Sequence, residues 1–333
     1  MICRSPTYYS HPVSDHASPA VAGSGMTPQE PQPLMITDVH THFWNPDHQR
    51  PPWTDGLGRV STRLAAGAID RVTVESYRRQ VVPAARTIVF GLQAQASGIM
   101  VPNDAVAAFV QEIGGQTVGF MSVDPTRHDA VTEIERCHAD LGLRGVKLGP
   151  IYQGTSPLNP LTLRVFSTAE RLGLPVMIHQ GAIFANAGRL VDANPLLLDD
   201  VAIAFPELRI VIAHMGHPWV HEAVVVMRRH KNVYADTSAI ANRPTVLATA
   251  LSAAKEYGVL DKVLFGSDSP MVSAASAAAA LARVVAHMQQ FALTPITDEE
   301  LQAILHRPSF ELLGIPAVAE TTVTPSAWQG ALS

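Results

Sequence analysis

The chain has 333 residues, of which 47% are hydrophobic and 16% charged, and carries a formal net charge of −5 at pH 7. Such an apolar composition buries a large core and excludes wholesale disorder, while the mild acidity offers no electrostatic footprint for nucleic acid or an anionic membrane surface. Two cysteines, Cys3 and Cys137, make neither a disulfide framework nor a thiolate metal site, and no run nears the ~20 apolar residues that span a bilayer, so a cytoplasmic globular protein is expected.

The first 33 residues read as a disordered tail, with Pro6, Pro12, Pro19, Pro28, Pro31 and Pro33 set among small polar residues. No apolar segment follows Arg4, which argues against a secretory signal. From residue 34 a regular alternation begins. Short apolar, β-branched runs predict strands at 34–39, 87–92, 117–123, 145–148, 175–178, 209–213, 232–235 and 262–265. Between and after them, helical spacing predicts helices near 70–83, 102–113, 129–141, 160–173, 195–205, 218–230, 245–258 and 275–290. Runs such as Val176-Met177-Ile178 are apolar throughout, as parallel strands buried on both faces are. Eight β-then-α units in order predict an α/β fold of the (β/α)8 TIM-barrel type, over residues 34–314. A doubly wound open sheet is the alternative, but neither G-x-G-x-x-G nor G-x-x-x-x-G-K-[ST] is present. Thr297 with Glu300 forms a capping box that opens one or two closing C-terminal helices. Residues 315–333 return to small and polar types and read as a loose tail.

In a (β/α)8 barrel the chemistry sits at the C-terminal ends of the strands. The first strand there ends in Asp38-Val39-His40-Thr41-His42 and the fifth in Ile178-His179-Gln180-Gly181. The sixth ends in Ala213-His214-Met215-Gly216-His217-Pro218, and the eighth in Phe265-Gly266-Ser267-Asp268. His40 and His42, two apart on a strand, face the same side. With His179 and Asp268 they form a nitrogen and oxygen set for one divalent ion, Zn²⁺ in preference to Mn²⁺ or Fe²⁺, that leaves a position open for water. Asp38 shares the parity of His40 and is expected one layer deeper, in an orienting or packing role. A lone His-x-His is a weak signal, and one histidine at a strand end is more often a satisfied polar group than a ligand. The concurrence of four strand ends in one architecture favours a metal centre over a structural polar cluster.

These motifs, with Gly145-Val-Lys-Leu-Gly-Pro after the fourth strand and Asn232-Val-Tyr-Ala-Asp-Thr-Ser at the seventh, resemble the amidohydrolase superfamily over about residues 35–314. The branch resembled contains aminocarboxymuconate semialdehyde decarboxylase and the resorcylate-type decarboxylases. The resemblance implies a mononuclear centre with His40, His42 and His179 as ligands and Asp268 binding the metal or taking the proton of a water. It implies that His214 polarises a substrate carbonyl or acts as base, a role preferred here to ligation because four ligands are already available. Some amidohydrolases carry a carboxylated lysine near the position of Lys147; here Lys147 is read as an electrostatic contact to an anionic group of the substrate, or else as a structural hydrogen-bond donor. His217 either contacts substrate or caps the helix that starts at Pro218, and Trp44 and Asp236 are expected to line the mouth. One departure is the closing segment His306-Arg307-Pro308-Ser309-Phe310, where the family has an Asn-Ala pair; it bears on local packing.

The expected activity is metal-dependent hydrolysis of a small organic lactone, ester or amide by activated water. The first alternative is non-oxidative decarboxylation of an aromatic or enoic carboxylate, held by Lys147 with Arg189 or Arg243. The second, of another class, is a non-catalytic metal-binding barrel. The expected partner is a small-molecule substrate, without nucleic acid or membrane, and the resemblance implies a homo-oligomer.

Overall fold

The computed structural model describes residues 35–51, 53, 70–181, 188–291 and 294–316. The N-terminal tail expected over 1–33 and residues 317–333 of the expected C-terminal tail lie outside the described residues. The strands are β1 (Thr37–His42), β2 (Arg86–Phe90), β3 (Gln93–Ala94), β4 (Ile99–Met100), β5 (Gln116–Ser122), β6 (Val146–Leu148), β7 (Val176–Ile178), β8 (Ile210–Ile212), β9 (Val233–Asp236) and β10 (Val263–Leu264). Eight of them form one sheet in the order β1-β2-β5-β6-β7-β8-β9-β10, every pairing parallel. The ring is completed by backbone hydrogen bonds from Val39 N to Phe265 O (3.0 Å), His42 N to Ser269 O (2.7 Å) and Asp268 N to His40 O (2.9 Å). The expected eight-stranded parallel barrel is therefore the observed one.

The helices are α1 (Val74–Val81), α2 (Asn103–Ile113), α3 (Ala130–Ala139), α4 (Pro160–Arg171), α5 (Leu197–Ala204), α6 (Val220–Arg229), α7 (Pro244–Glu256), α8 (Ala274–Phe291), α9 (Asp298–Leu305) and α10 (Ser309–Leu312). Their starts follow from local chemistry. Pro160 and Pro244 occupy first-turn positions, where a missing N–H costs nothing, and Asn159 Oδ1 accepts from Leu161 N at 2.9 Å. The Thr297 capping box is present: Glu300 N donates to Thr297 Oγ1 (3.2 Å) and Thr297 N to Glu300 Oε2 (2.8 Å). In the alanine-rich α8, Ala277, Ala280, Leu281, Val284, Val285 and Met288 bury one face, the spacing of an amphipathic helix on a barrel wall.

Two apolar layers follow. One lies between the sheet and the helices. The other fills the barrel with Val39, Phe90, Phe120, Met177, Val211 and Leu264, and Phe310 and Leu313 from the closing segment pack against it. That segment is also tied by polar contacts, since Arg307 Nε donates to Val263 O (2.9 Å) and the Arg86 guanidinium lies over the Phe310 ring. The departure at His306–Phe310 is thus a packing feature remote from the strand ends that carry histidines. Among the described residues no helix is long and apolar enough to cross a membrane.

Strict alternation fails in β1. Its register against β2 shifts between Asp38 and Thr41, and Val39 joins the barrel interior while the Asp38 carboxylate turns to accept from His40 N (3.2 Å) and Ser267 N (3.0 Å). Asp38 therefore lies between β1 and the segment after β10, and its expected shared parity with His40 is corrected by the bulge. Bulges beside active sites re-aim side chains in this way.

Candidate metal centre

The strand ends that hold the site are backbone-constrained. Among the described residues four non-glycines have positive φ: His214 (60°), Met215 (49°), Ala239 (57°) and Asp268 (70°). Each such conformation costs on the order of 1–3 kcal/mol and persists only where surrounding structure imposes it. They fall after β8, β9 and β10, at one end of the barrel. Gly266 permits the close approach behind them, because a Cβ there would lie 2.9 Å from His40 Cβ and 3.3 Å from Asp236 Cγ.

His40, His42 and Asp268 offer donor atoms that all lie within 4.8 Å of one another. Asp268 Oδ1 is 3.1 Å from His42 Nε2 and 3.4 Å from His40 Nε2. Two donors each bound ~2.0–2.2 Å from one ion stand roughly 3.0–3.6 Å apart, so these edges match a shared ion. His40 Nδ1 is fixed behind the site by Asp236 Oδ2 at 2.8 Å. A carboxylate accepts only, so Nδ1 keeps its proton and Nε2 presents a lone pair, the usual device for orienting a ligating imidazole.

A second chain of hydrogen bonds sets the other two rings. Ser238 Oγ donates to Asp236 Oδ1, and His214 Nδ1 faces Ser238 Oγ (2.7 Å) and Ser238 O (3.2 Å), so Nδ1 carries the proton. His214 Nε2 is then an acceptor, 3.1 Å from His179 Nδ1, which donates to it. That leaves His179 Nε2 as a buried lone pair without a partner. An orphaned imidazole lone pair beside a His, His, Asp triad is what a further metal ligand leaves when no ion is present, and the donor set as a whole fits a divalent cation. His179 is outside the tight triad, and His214 instead forms a second close group with His40 and Asp236.

Electrostatics agree with that donor set. Burial pushes all four imidazoles below the ordinary histidine range, helped for His40 and His179 by the nearby Lys147 ammonium. Neutral imidazoles are the form that binds metal. Burial works against ionisation of Asp268, yet the hydrogen bond from His42 and the adjacent imidazoles hold its carboxyl below the usual carboxylate value. Lys147 is buried, its Nζ 3.4 Å from His40 Nε2 and 4.4 Å above the Phe90 ring, and desolvation lowers its pKa to about 8.

A cavity opens over this cluster, bounded by His42, Lys147, His179, His214 and Asp268 at its base and by Trp44, Trp53 and Tyr152 along one wall. His217, Asn242 and Arg243 also line it. Of the expected mouth residues, Trp44 and His217 are therefore in the lining. Asp236 is not, because its fully buried carboxylate is committed behind His40 and to the backbone N–H groups of His214 and Ser238. Arg189 is not part of the lining either, whereas Arg243 is. Sequence reasoning missed Ser238, Trp53 and Tyr152. Ser238 stood in the quoted Asp-Thr-Ser run and carried a usable signal, two residues beyond the strand carboxylate, while the two aromatics carried none.

The model of the amidohydrolase family matches residues 37–315. No curated protein matches the sequence. Similar solved structures include a probable 2-pyrone-4,6-dicarboxylic acid hydrolase from Acinetobacter baumannii with citric acid bound (18% identity, TM-score 0.61, covering 84% of this chain and 99% of that one). A dihydroxybenzoic acid decarboxylase from a Polaromonas species, with bound manganese and 2-nitroresorcinol, is similar at 18% identity and TM-score 0.58, covering 86% and 99%. So is the 5-carboxyvanillate decarboxylase of Sphingomonas paucimobilis, at 15% identity and TM-score 0.57, covering 85% and 100%.

Proposed function

The chain belongs to the amidohydrolase family, and from that premise we propose that it is a metal-dependent hydrolase of a small, planar, anionic lactone or ester. The observation that carries the reading is the pair of proton acceptors at the cavity base: the Asp268 carboxylate and His214 Nε2, whose lone pair faces His179 Nδ1 at 3.1 Å. Hydrolysis needs a proton removed from water, whereas decarboxylation needs one delivered to carbon.

His40, His42, His179 and Asp268 would hold the ion, taken as Zn²⁺ from the nitrogen-rich set, with Mn²⁺ or Fe²⁺ as substitutes. A divalent ion there supplies Lewis acidity, making a water acidic near neutral pH and drawing charge from a carbonyl oxygen. The residues do the rest. Asp236 and Ser238 keep the proton on His40 Nδ1 and orient the ring, so that Nε2 faces the site. Asp268, engaged through Oδ1 by His42, takes the water's proton and passes it to the leaving oxygen. His214, its Nδ1 proton held by Ser238, keeps Nε2 as a lone pair and serves as a second proton acceptor beside Asp268. Lys147, a buried cation at the cavity base with its Nζ beside His40 Nε2, holds an anionic group of the substrate, and the Trp44, Trp53 and Tyr152 wall favours a flat ring.

Asp268→Asn tests this: hydrolysis falls by at least about a hundredfold while the fold persists, and a variant that retains wild-type turnover rules out the proposed proton transfer. A second reading, decarboxylation of an aromatic carboxylate, is favoured by Lys147 and Arg243, two cations lining one cavity. Carbon dioxide release from hydroxybenzoates identifies it.

A further inference from the structure

The four imidazoles at the cavity base are oriented by two different means. His40 and His214 are fixed through Nδ1 by hydrogen bonds to Asp236 and Ser238. His42 Nδ1 is buried without a hydrogen-bond partner, so that ring lacks the carboxylate or carbonyl brace that usually sets a ligating imidazole, while His179 is held through Nδ1 by His214 Nε2 at 3.1 Å and leaves Nε2 open. Aromatic rings pack against both. His42 stacks on Trp44 (centroids 4.8 Å, planes 20° apart), and His179 meets Tyr152 edge to face (4.8 Å, 66°). Trp53 joins the two braces, stacked on Trp44 (6.1 Å, 18°) and edge-on to Tyr152 (5.9 Å, 70°). Trp53 is itself held, its Nε1 donating to Gln49 Oε1 at 3.1 Å, and Arg50 N donates to Gly98 O at 2.8 Å, docking this segment on the β3–β4 ribbon.

We infer that Trp44, Trp53 and Tyr152 form a continuous aromatic arc that positions His42 and His179 at the metal centre, so that Trp53, which packs on Trp44 and Tyr152, sets metal affinity. The inference rests on the metal-centre reading and extends it to residues with no ligating atom. Ring contacts of this kind are directional, which lets them fix a plane as a hydrogen bond does.

The test is Co²⁺ binding to the metal-stripped full-length chain, followed by chelator competition and by the visible absorption of the bound ion. Removing an orienting partner typically weakens a site 10- to 100-fold, so Trp53→Leu and Trp44→Leu should weaken binding by about tenfold or more and alter the Co²⁺ spectrum. Trp44→Phe, which keeps a flat ring on His42, should stay within about threefold of wild type. If Trp53→Leu does not fold, Tyr152→Leu against Tyr152→Phe decides, the first weakening binding and the second sparing it. Wild-type affinity and spectrum in the folded leucine variants overturn the arc alone. A wild-type chain that takes up no divalent ion overturns the metal centre itself.

Discussion

Asp236→Asn isolates the hydrogen bond that would orient His40 for its proposed role as a ligand. Asp236 is fully buried, and its Oδ1 accepts from His214 N (3.1 Å), Ser238 N (2.9 Å) and Ser238 Oγ, while Oδ2 accepts from His40 Nδ1 at 2.8 Å. An asparagine cannot put its NH2 where Oδ1 stands, because three donors already point there. The amide nitrogen must therefore face His40 Nδ1, and the imidazole must move its proton to Nε2. That proton then occupies the lone pair aimed at Asp268 and the ion. Loss of a charge-assisted bond costs about 1.5–3 kcal/mol, and loss of an orienting partner weakens metal affinity roughly 10- to 100-fold, which is about 1.4–2.7 kcal/mol. Competition with a chelating indicator reads the affinity, and nitrogen NMR of the metal-free protein reads the His40 tautomer. Affinity within about threefold of wild type, with His40 still protonated at Nδ1, would refute the reasoning.

Three further outcomes are expected. Burial raises the Asp38 carboxyl from 3.8 to about 7, so between these values the folded chain holds a proton that the unfolded chain has released. Stability must therefore fall as pH rises through that window, by roughly 1.36 kcal/mol per pH unit and on the order of 4 kcal/mol in all; Asp38→Asn should flatten this slope in denaturant titrations of the metal-free protein at pH 5 and pH 8, and parallel slopes would disprove it. Gly266→Ala places a Cβ 2.9 Å from His40 Cβ and 3.2 Å from Ser238 Cβ, so about 1–3 kcal/mol of stability and at least tenfold in metal affinity should be lost, with an unchanged melting curve as the contrary result. Thr297→Ala removes a capping-box bond far from the site and should cost about 1 kcal/mol in thermal unfolding while sparing metal affinity.

Much of the fold was legible because parallel barrel strands are apolar on both faces and their helices amphipathic, two patterns that survive in a single sequence. Even β10, only Val263–Leu264 in length, was visible through the apolar run that contains it. The β3–β4 ribbon was not, since two-residue strands have no period to read. His40, His42 and Asp268, which the structure brings together, were found because each follows an apolar strand at its C-terminal end. The place of Asp38 was misread because a bulge leaves no mark in alternating residue types, and Asp236 because a strand-end carboxylate looks the same facing the cavity or facing a histidine behind it. The aromatic wall was hidden for a different reason. Trp53 and Tyr152 are brought together by loops from different barrel units, and nothing local to either residue announces the other.

The most direct test of the proposed activity is product analysis of the metal-loaded chain in heavy-oxygen water, offered planar lactones and aryl esters alongside hydroxybenzoates. Ring opening or ester cleavage is expected, with one heavy oxygen in the product carboxylate and no carbon dioxide. Carbon dioxide released from the hydroxybenzoates, with the lactones and esters left intact, would contradict the proposed activity.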